Sequence, residues 1–128
     1  MEINDITKKI IGAAIEVHKI LGPGLLEKTY ELCLIYELKS QGLKCESQKT
    51  IPIEYKGIVL DDSLKLDIIV EDMVIVELKA TNEILPIHRA QILSYMRLSH
   101  IKTGLIINFH VSLLKDGIER FTNKAQPS

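Results

Sequence analysis

Three charged side chains interrupt two apolar segments near the middle of the chain. Asp67 lies within residues 64–70, and Glu77 and Lys79 lie within residues 73–80. Burying a carboxylate costs several kcal/mol unless a cation or a metal ion offsets its charge. Because both segments otherwise have the composition of buried strands, these charged residues indicate a site rather than an ordinary surface.

The register between these two predicted strands decides whether their carboxylates meet. Side chains two residues apart point to the same face of a strand, so Glu77 and Lys79 are neighbours. A three-residue loop at residues 71–73 would put Asp67 directly opposite Glu77. A two-residue turn would instead put Asp67 opposite Val76, on the other face. A site therefore requires the three-residue loop, or a bulge, at this position.

Two carboxylates on one face match the hard oxygen ligands that Mg²⁺ or Mn²⁺ accepts. Such an ion polarises a phosphodiester and lowers the pKa of a bound water. Lys79 would orient that water or stabilise charge on the phosphoryl group. The same register puts Lys65 opposite Lys79, which favours an anion nearby. The alternative interpretation is a solvated sheet face with a cross-strand salt bridge.

Two predicted helices carry further polar residues toward this site. Gln91 and Tyr95 lie four residues apart on one face of a helix over residues 86–99. They belong either to the site or to the core, since a glutamine among apolar neighbours needs a polar partner. Glu27 lies in the first turn of a helix over residues 25–40. It either complements the helix dipole or points at the sheet.

The periodicity of apolar residues predicts an α/β fold in which helices flank a mixed central sheet. Apolar residues at steps of three and four indicate a first helix, which Gly22-Pro23-Gly24 ends. Lys56-Gly57 is typical of a turn between strands. The predicted elements are helices at residues 3–21, 25–40 and 86–99, and strands at residues 43–48, 51–55, 58–60, 64–70, 73–80, 103–109 and 118–121.

The composition indicates one globular domain over residues 1–123, followed by a flexible tail at residues 124–128. The chain has 128 residues, of which 46% are hydrophobic and 26% are charged. Its formal charge of −1 provides no global positive field, so attraction to nucleic acid would have to be local and metal-assisted.

The remaining sequence features favour a cytoplasmic protein without a membrane partner. Cys33 and Cys45 lack the spacing of a metal cluster and are interpreted as reduced, small apolar residues. The N-terminal segment lacks the charge and apolar pattern of a signal peptide, and no apolar run approaches membrane-spanning length.

Four motifs occur in order along the chain. They are Gly24-x-x-Glu27-x-x-Tyr30, Leu66-Asp67-Ile68-Ile69-Val70-Glu71, Val76-Glu77-Leu78-Lys79-Ala80 and Ala90-Gln91-x-x-Ser94-Tyr95. Together they resemble the GxxExxY proteins, a family of small domains assigned to the PD-(D/E)XK nuclease superfamily. The resemblance extends from about residue 6 to about residue 121 and implies a restriction-endonuclease-like core.

The resemblance also implies roles for the charged residues. Asp67 and Glu77 resemble the metal-binding carboxylates of the superfamily, and Lys79 resembles its catalytic lysine. Glu27 resembles the helix-borne glutamate that such folds use for a second metal ion or for water.

The resemblance also covers the predicted third helix and the residues expected to contact the substrate. Gln91 and Tyr95 resemble a Gln-x-x-x-Tyr element that supports the active-site lysine and the substrate phosphate. Lys65 stands where the family commonly has an arginine or an aromatic residue, a difference that affects substrate contacts more than metal binding. We expect Lys65, His88 and Arg89 to contact the substrate.

These observations predict a Mg²⁺- or Mn²⁺-dependent nuclease that hydrolyses phosphodiester bonds of DNA or RNA. One alternative is a nucleic-acid-binding or accessory module that keeps the nuclease fold without cleavage. Another is a protein-interaction module, whose polar cluster is only a buried network and whose apolar helix faces would serve a homodimer.

Overall fold

A computed structural model describes residues 1–123, and the predicted tail lies outside this range. In chain order the elements are α1 (Ile3–Leu21), α2 (Glu27–Ser40), β1 (Cys45–Tyr55), β2 (Ile58–Val70), β3 (Val74–Lys79), α3 (Pro86–Ser99), β4 (Thr103–Asn108), a short 3-10 helix (Leu114–Gly117) and β5 (Ile118–Thr122). None of the helices within the described residues is long and apolar enough to cross a membrane.

The five strands form one mixed sheet in the order β1-β2-β3-β4-β5. Neighbouring strands are antiparallel except β3 and β4, which are parallel. A parallel pair needs a crossover connection, and α3 provides it. The predicted fold class, an α/β domain with a mixed sheet flanked by helices, is confirmed.

The first two strands are longer than the sequence pattern predicts. The segments predicted as separate strands at residues 43–48 and 51–55 form the single strand β1, and those at 58–60 and 64–70 form β2. The predicted turn at Lys56-Gly57 is present, and both residues have positive φ, as a two-residue hairpin turn requires. The prediction of separate strands is wrong because backbone pairing continues through polar residues, with a shift of register between Pro52 and Glu54.

Two apolar cores occupy opposite faces of the sheet. The larger core lies under α1 and α2, and it contains the predicted stripe of α1, including Ile6, Ile10 and Ala14. The smaller core lies under α3. Alternation along β3 places Val76 and Leu78 in the larger core, which leaves Glu77 and Lys79 on the face of α3.

Gly104 allows α3 to lie close to the sheet. A Cβ atom at this position of β4 would approach the side chains of Ile92 and Met96 to 2.9 Å. Real Cβ atoms do not come this close to their neighbours, so a larger residue would force the Ile92 and Met96 side chains to repack. Gly104 therefore leaves room for these two side chains of the helix that carries Gln91 and Tyr95.

Candidate active site

The predicted three-residue loop joins β2 to β3. Val70 pairs with Val74 across residues 71–73. The register therefore places Asp67 beside Glu77, which confirms the geometric condition for a site.

The two carboxylates lie where β2 and β3 diverge. The ladder between these strands ends at the pair Ile68–Val76, while β2 continues along β1 and β3 continues along β4. Just beyond that pair, the Asp67 N–H donates to Glu77 Oε2 over 3.0 Å, and the Leu78 N–H donates to Asp67 Oδ2 over 2.9 Å. Carboxylate oxygens thus replace the backbone acceptors that would have continued the ladder.

Burial and charge repulsion both affect Glu77. Its side chain is buried, with a relative exposure of 7%. Burial raises the pKa of Glu77 from its ordinary value of 4.5 to about 8, with a further contribution from the neighbouring Asp67 carboxylate. The hydrogen bond from Asp67 and the ammonium of Lys79 lower this pKa, and the carboxylate of Glu27 raises it slightly. Without a cation the site therefore disfavours a second negative charge, and Glu77 retains a proton at neutral pH.

This donor set fits a hard divalent cation. Within residues 1–123, no group of three or more His, Cys, Asp or Glu side chains is arranged to hold a metal ion. The hydrogen bonds bring Asp67 and Glu77 together, and two carboxylates would suit Mg²⁺ because this ion is commonly bound by one or two carboxylates and keeps several waters. Burial and the neighbouring Asp67 carboxylate disfavour the charged form of Glu77, and a metal ion would favour it.

The end of β3 fixes the backbone of Lys79. The Lys79 carbonyl accepts the Phe109 N–H over 2.9 Å, and Lys79 pairs with Asn108 on β4. Asn108 is buried and holds the following loop, because its Nδ2 donates to the Thr81 carbonyl and its Oδ1 accepts the Thr81 N–H. The lysine backbone is therefore held by β4 and by the residue that follows it.

The connection between α1 and α2 determines where α2 begins. Gly24 has a φ of +99°, a conformation that favours glycine. The Tyr30 hydroxyl donates to the Gly22 carbonyl over 2.6 Å, and its ring stacks on Phe109 with centroids 4.3 Å apart. Together these contacts anchor the start of α2, where Glu27 is the first helical residue and is exposed.

The sequence pattern did not point to two further polar residues, Glu31 and Gln48. Glu31 lies one helical turn after Glu27, is only 5% exposed, and accepts a hydrogen bond from Gln48 Nε2 over 2.8 Å. The four-residue spacing from Glu27 was an available signal that both glutamates share a face of α2. The burial of Glu31 and its partner on β1 depend on tertiary packing and had no local signal.

The residues Gln91 and Tyr95 of α3 lie on the side of the sheet that carries the two carboxylates. Burial raises the pKa of Tyr95, and the negative charges of Glu77 and Asp67 raise it further. A hydrogen bond with Gln91 lowers it. The Tyr95 hydroxyl is therefore within electrostatic reach of the site, where it stays protonated at neutral pH.

The three predicted substrate contacts have different surroundings. Lys65 is exposed on β2, and its predicted position opposite Lys79 is wrong, because the β2–β3 ladder ends at the pair Ile68–Val76 and Lys65 pairs with Thr50 of β1. His88 accepts the Leu85 N–H at Nδ1 over 3.0 Å, a contact that caps the start of α3. Arg89 forms two hydrogen bonds with the carboxylate of Glu119 on β5, at 2.7 and 2.9 Å. Contact of these residues with a substrate stays a prediction.

Comparison with known proteins agrees with this geometry. No match was found among curated proteins or among solved structures. A family model for the PD-(D/E)XK nuclease superfamily matches residues 4–121, which include all five strands almost to the end of β5 and every predicted site residue. The chain therefore belongs to the PD-(D/E)XK nuclease superfamily.

Proposed function

We propose that this protein is a metal-dependent nuclease that hydrolyses nucleic-acid phosphodiester bonds with Mg²⁺ or Mn²⁺. The observation that carries the proposal is the linked pair of carboxylates, in which Glu77 is buried beside Asp67 and its pKa is raised to about 8. Without a cation, two adjacent carboxylates repel each other and disfavour ionisation. A nuclease uses the same arrangement productively, because the cation that offsets the repulsion also binds phosphate.

Each charged residue then has a defined role. Asp67 and Glu77 would hold the divalent ion, which when bound supplies Lewis-acid polarisation of the phosphodiester. Lys79, two residues after Glu77 on the same face, would orient the attacking water and stabilise negative charge on the phosphoryl group. Glu27 would hold the attacking water or a second ion from the start of α2.

The α3 side would contact the substrate phosphate. Tyr95 keeps its proton at neutral pH, since the ordinary tyrosine pKa of 10.0 is raised further here, so its hydroxyl can donate to a phosphate oxygen. Gln91 would orient this hydroxyl. His88 and Arg89 on α3, and separately Lys65 on β2, would supply local contacts, which matter because the chain has a formal charge of −1.

A nuclease assay with matched variants tests this proposal. Single- and double-stranded DNA and RNA are incubated with the protein in Mg²⁺, Mn²⁺ or EDTA. Lys79→Ala should lower the cleavage rate by about 100-fold or more, and Glu77→Gln should abolish metal-dependent cleavage. Lys19→Ala, which changes an exposed lysine of α1, should leave the rate unchanged. Cleavage that survives both Lys79→Ala and Glu77→Gln would refute the proposal.

A binding assay separates the nuclease from the alternatives. Nucleic-acid binding without cleavage in any metal would favour the binding module.

We also propose that the chain belongs to the GxxExxY group of the superfamily, which Gly24, Glu27 and Tyr30 support through their sequence motif. Homodimerisation and a cytoplasmic location stay predictions from the sequence.

A further inference from the structure

The strand that carries Asp67 is irregular at that residue. Residues two apart in a regular strand share a face. Leu66, however, packs in the core under α3, whereas Ile68 packs in the core under α1 and α2. The alternation of β2 is therefore interrupted at Asp67, the residue whose carboxylate turns to accept the Leu78 N–H.

The partner strand is irregular at the matching position. The β1–β2 register pairs the residues on either side of Gln48 with those on either side of Asp67, so these two residues face each other. Gln48 has a φ of 52°, in the left-handed region that a glutamine rarely adopts. Such a conformation persists only where surrounding contacts hold it.

Glu31 provides a contact that holds Gln48. Its Oε1 accepts the Gln48 Nε2 hydrogen bond over 2.8 Å, and this bond ties α2 to the irregular position of β1. The other oxygen, Oε2, is buried and has no hydrogen-bond partner among the described residues. Its nearest cation is the largely exposed Lys28, 3.7 Å away. An incompletely paired buried carboxylate destabilises a fold, so Glu31 is not explained by packing.

We propose that Glu31 and Gln48 are a positioning pair for the metal-binding carboxylate Asp67. Glu31 holds Gln48 in its left-handed conformation, and the resulting irregularity of the hairpin directs Asp67 toward β3. Helix α2 thus acts on the site twice, through Glu27 directly and through Glu31 by way of β1. The consequence for metal binding rests on the proposed function, whereas the orientation of Asp67 is measurable in the protein alone.

Hydrogen exchange at the Leu78 amide tests the orientation of Asp67. This amide is protected by Asp67 Oδ2, so it reports whether the carboxylate is in place. Glu31→Leu removes the acceptor for Gln48 and should raise the Leu78 exchange rate about tenfold relative to the amides of β4. Glu31→Gln keeps a carbonyl acceptor and should stay within about threefold of the wild type.

Metal affinity links the pair to the site. By titration calorimetry, Glu31→Leu should weaken Mn²⁺ binding by about tenfold or more, while Glu31→Gln should restore most of the affinity. Gln48→Ala should have the same effect as Glu31→Leu, and combining the two should add little because they remove one interaction. Urea denaturation checks that each variant is folded. If Glu31→Leu does not fold, Gln48→Ala takes its place in the hydrogen-exchange and the calorimetric measurements.

Two results would overturn the inference. One is an unchanged Leu78 exchange rate in both Glu31→Leu and Gln48→Ala. The other is an equal effect of leucine and glutamine at position 31. Failure of the wild type to bind Mn²⁺ is a different result, which would overturn the proposed function, while the exchange rate of Leu78 still decides the role of the pair.

Discussion

Replacing Glu77 by glutamine should change how the stability of the metal-free protein depends on pH. The pKa of Glu77 is about 8 in the folded protein, against an ordinary value of 4.5. Between pH 4.5 and about pH 8, Glu77 therefore retains a proton in the folded protein that it releases in the unfolded chain. The contribution of this protonated group to stability is fully present below about pH 4.5 and is lost as the pH rises through about 8.

The size of this effect follows from the two pKa values. One pKa unit corresponds to about 1.4 kcal/mol, so the difference between 4.5 and about 8 amounts to roughly 5 kcal/mol. That is a large part of the free energy of unfolding of a typical single domain, which is about 5–15 kcal/mol. Glutamine has the size of glutamate and keeps an oxygen that can accept the Asp67 N–H, but it carries no charge at any pH.

The free energy of unfolding, measured by urea denaturation in EDTA from about pH 5 to about pH 9, checks this prediction. Glu77→Gln should match the wild type within about 1 kcal/mol at the acidic end and should be several kcal/mol more stable at the alkaline end. Glu16→Gln, on an exposed position of α1, is the matched control and should follow the wild-type profile. Parallel profiles of the wild type and Glu77→Gln would refute the reasoning, because the burial of a charge would then not govern Glu77.

Three further predictions concern the metal and the supports of the site. At pH 8, Mg²⁺ or Mn²⁺ at about 100 times its dissociation constant should raise the free energy of unfolding by about 2.7 kcal/mol, and Asp67→Ala should remove this increase in thermal denaturation. Asn108→Ala should cost about 1–3 kcal/mol, because it leaves the Thr81 N–H and carbonyl without partners; urea denaturation measures this loss. Gly104→Ala should cost about 1–3 kcal/mol by crowding the side chains of Ile92 and Met96, with Ser63→Ala on the exposed hairpin as an unaffected control in the same assay.

The sequence reduced the central geometry to one local condition, the length of the loop at residues 71–73, and the structure has the three-residue loop that a site requires. The length of the loop at residues 71–73 and the two-residue period of the strands together set Asp67 beside Glu77. The same period placed Val76 and Leu78 in the core, and the helical period placed Ile6 and Ile10 there. None of these predictions needed knowledge of distant contacts.

The remaining features depend on contacts between residues far apart in the chain. Gln48 gives no local sign of its left-handed backbone, because its partner Glu31 lies on another element. The pairing of Arg89 with Glu119 is equally remote, although the arginine was predicted as a substrate contact. The long hairpin of β1 and β2 was divided in the prediction because exposed polar residues resemble connections when the pairing strand is unknown.

The first helical turns of α2 show how one short motif serves both stability and chemistry. Gly24 and Tyr30 fix the connection before the helix, and this placement lets Glu27 raise the pKa of Glu77 across the site. Glu31 follows on the same face, where a leucine would pack without an unpaired oxygen. Two buried carboxylates, Glu31 and Glu77, therefore oppose folding on either side of one divergence in the sheet. Stability alone would favour their replacement, so we infer that the ion and the phosphate proposed for this site account for their common location.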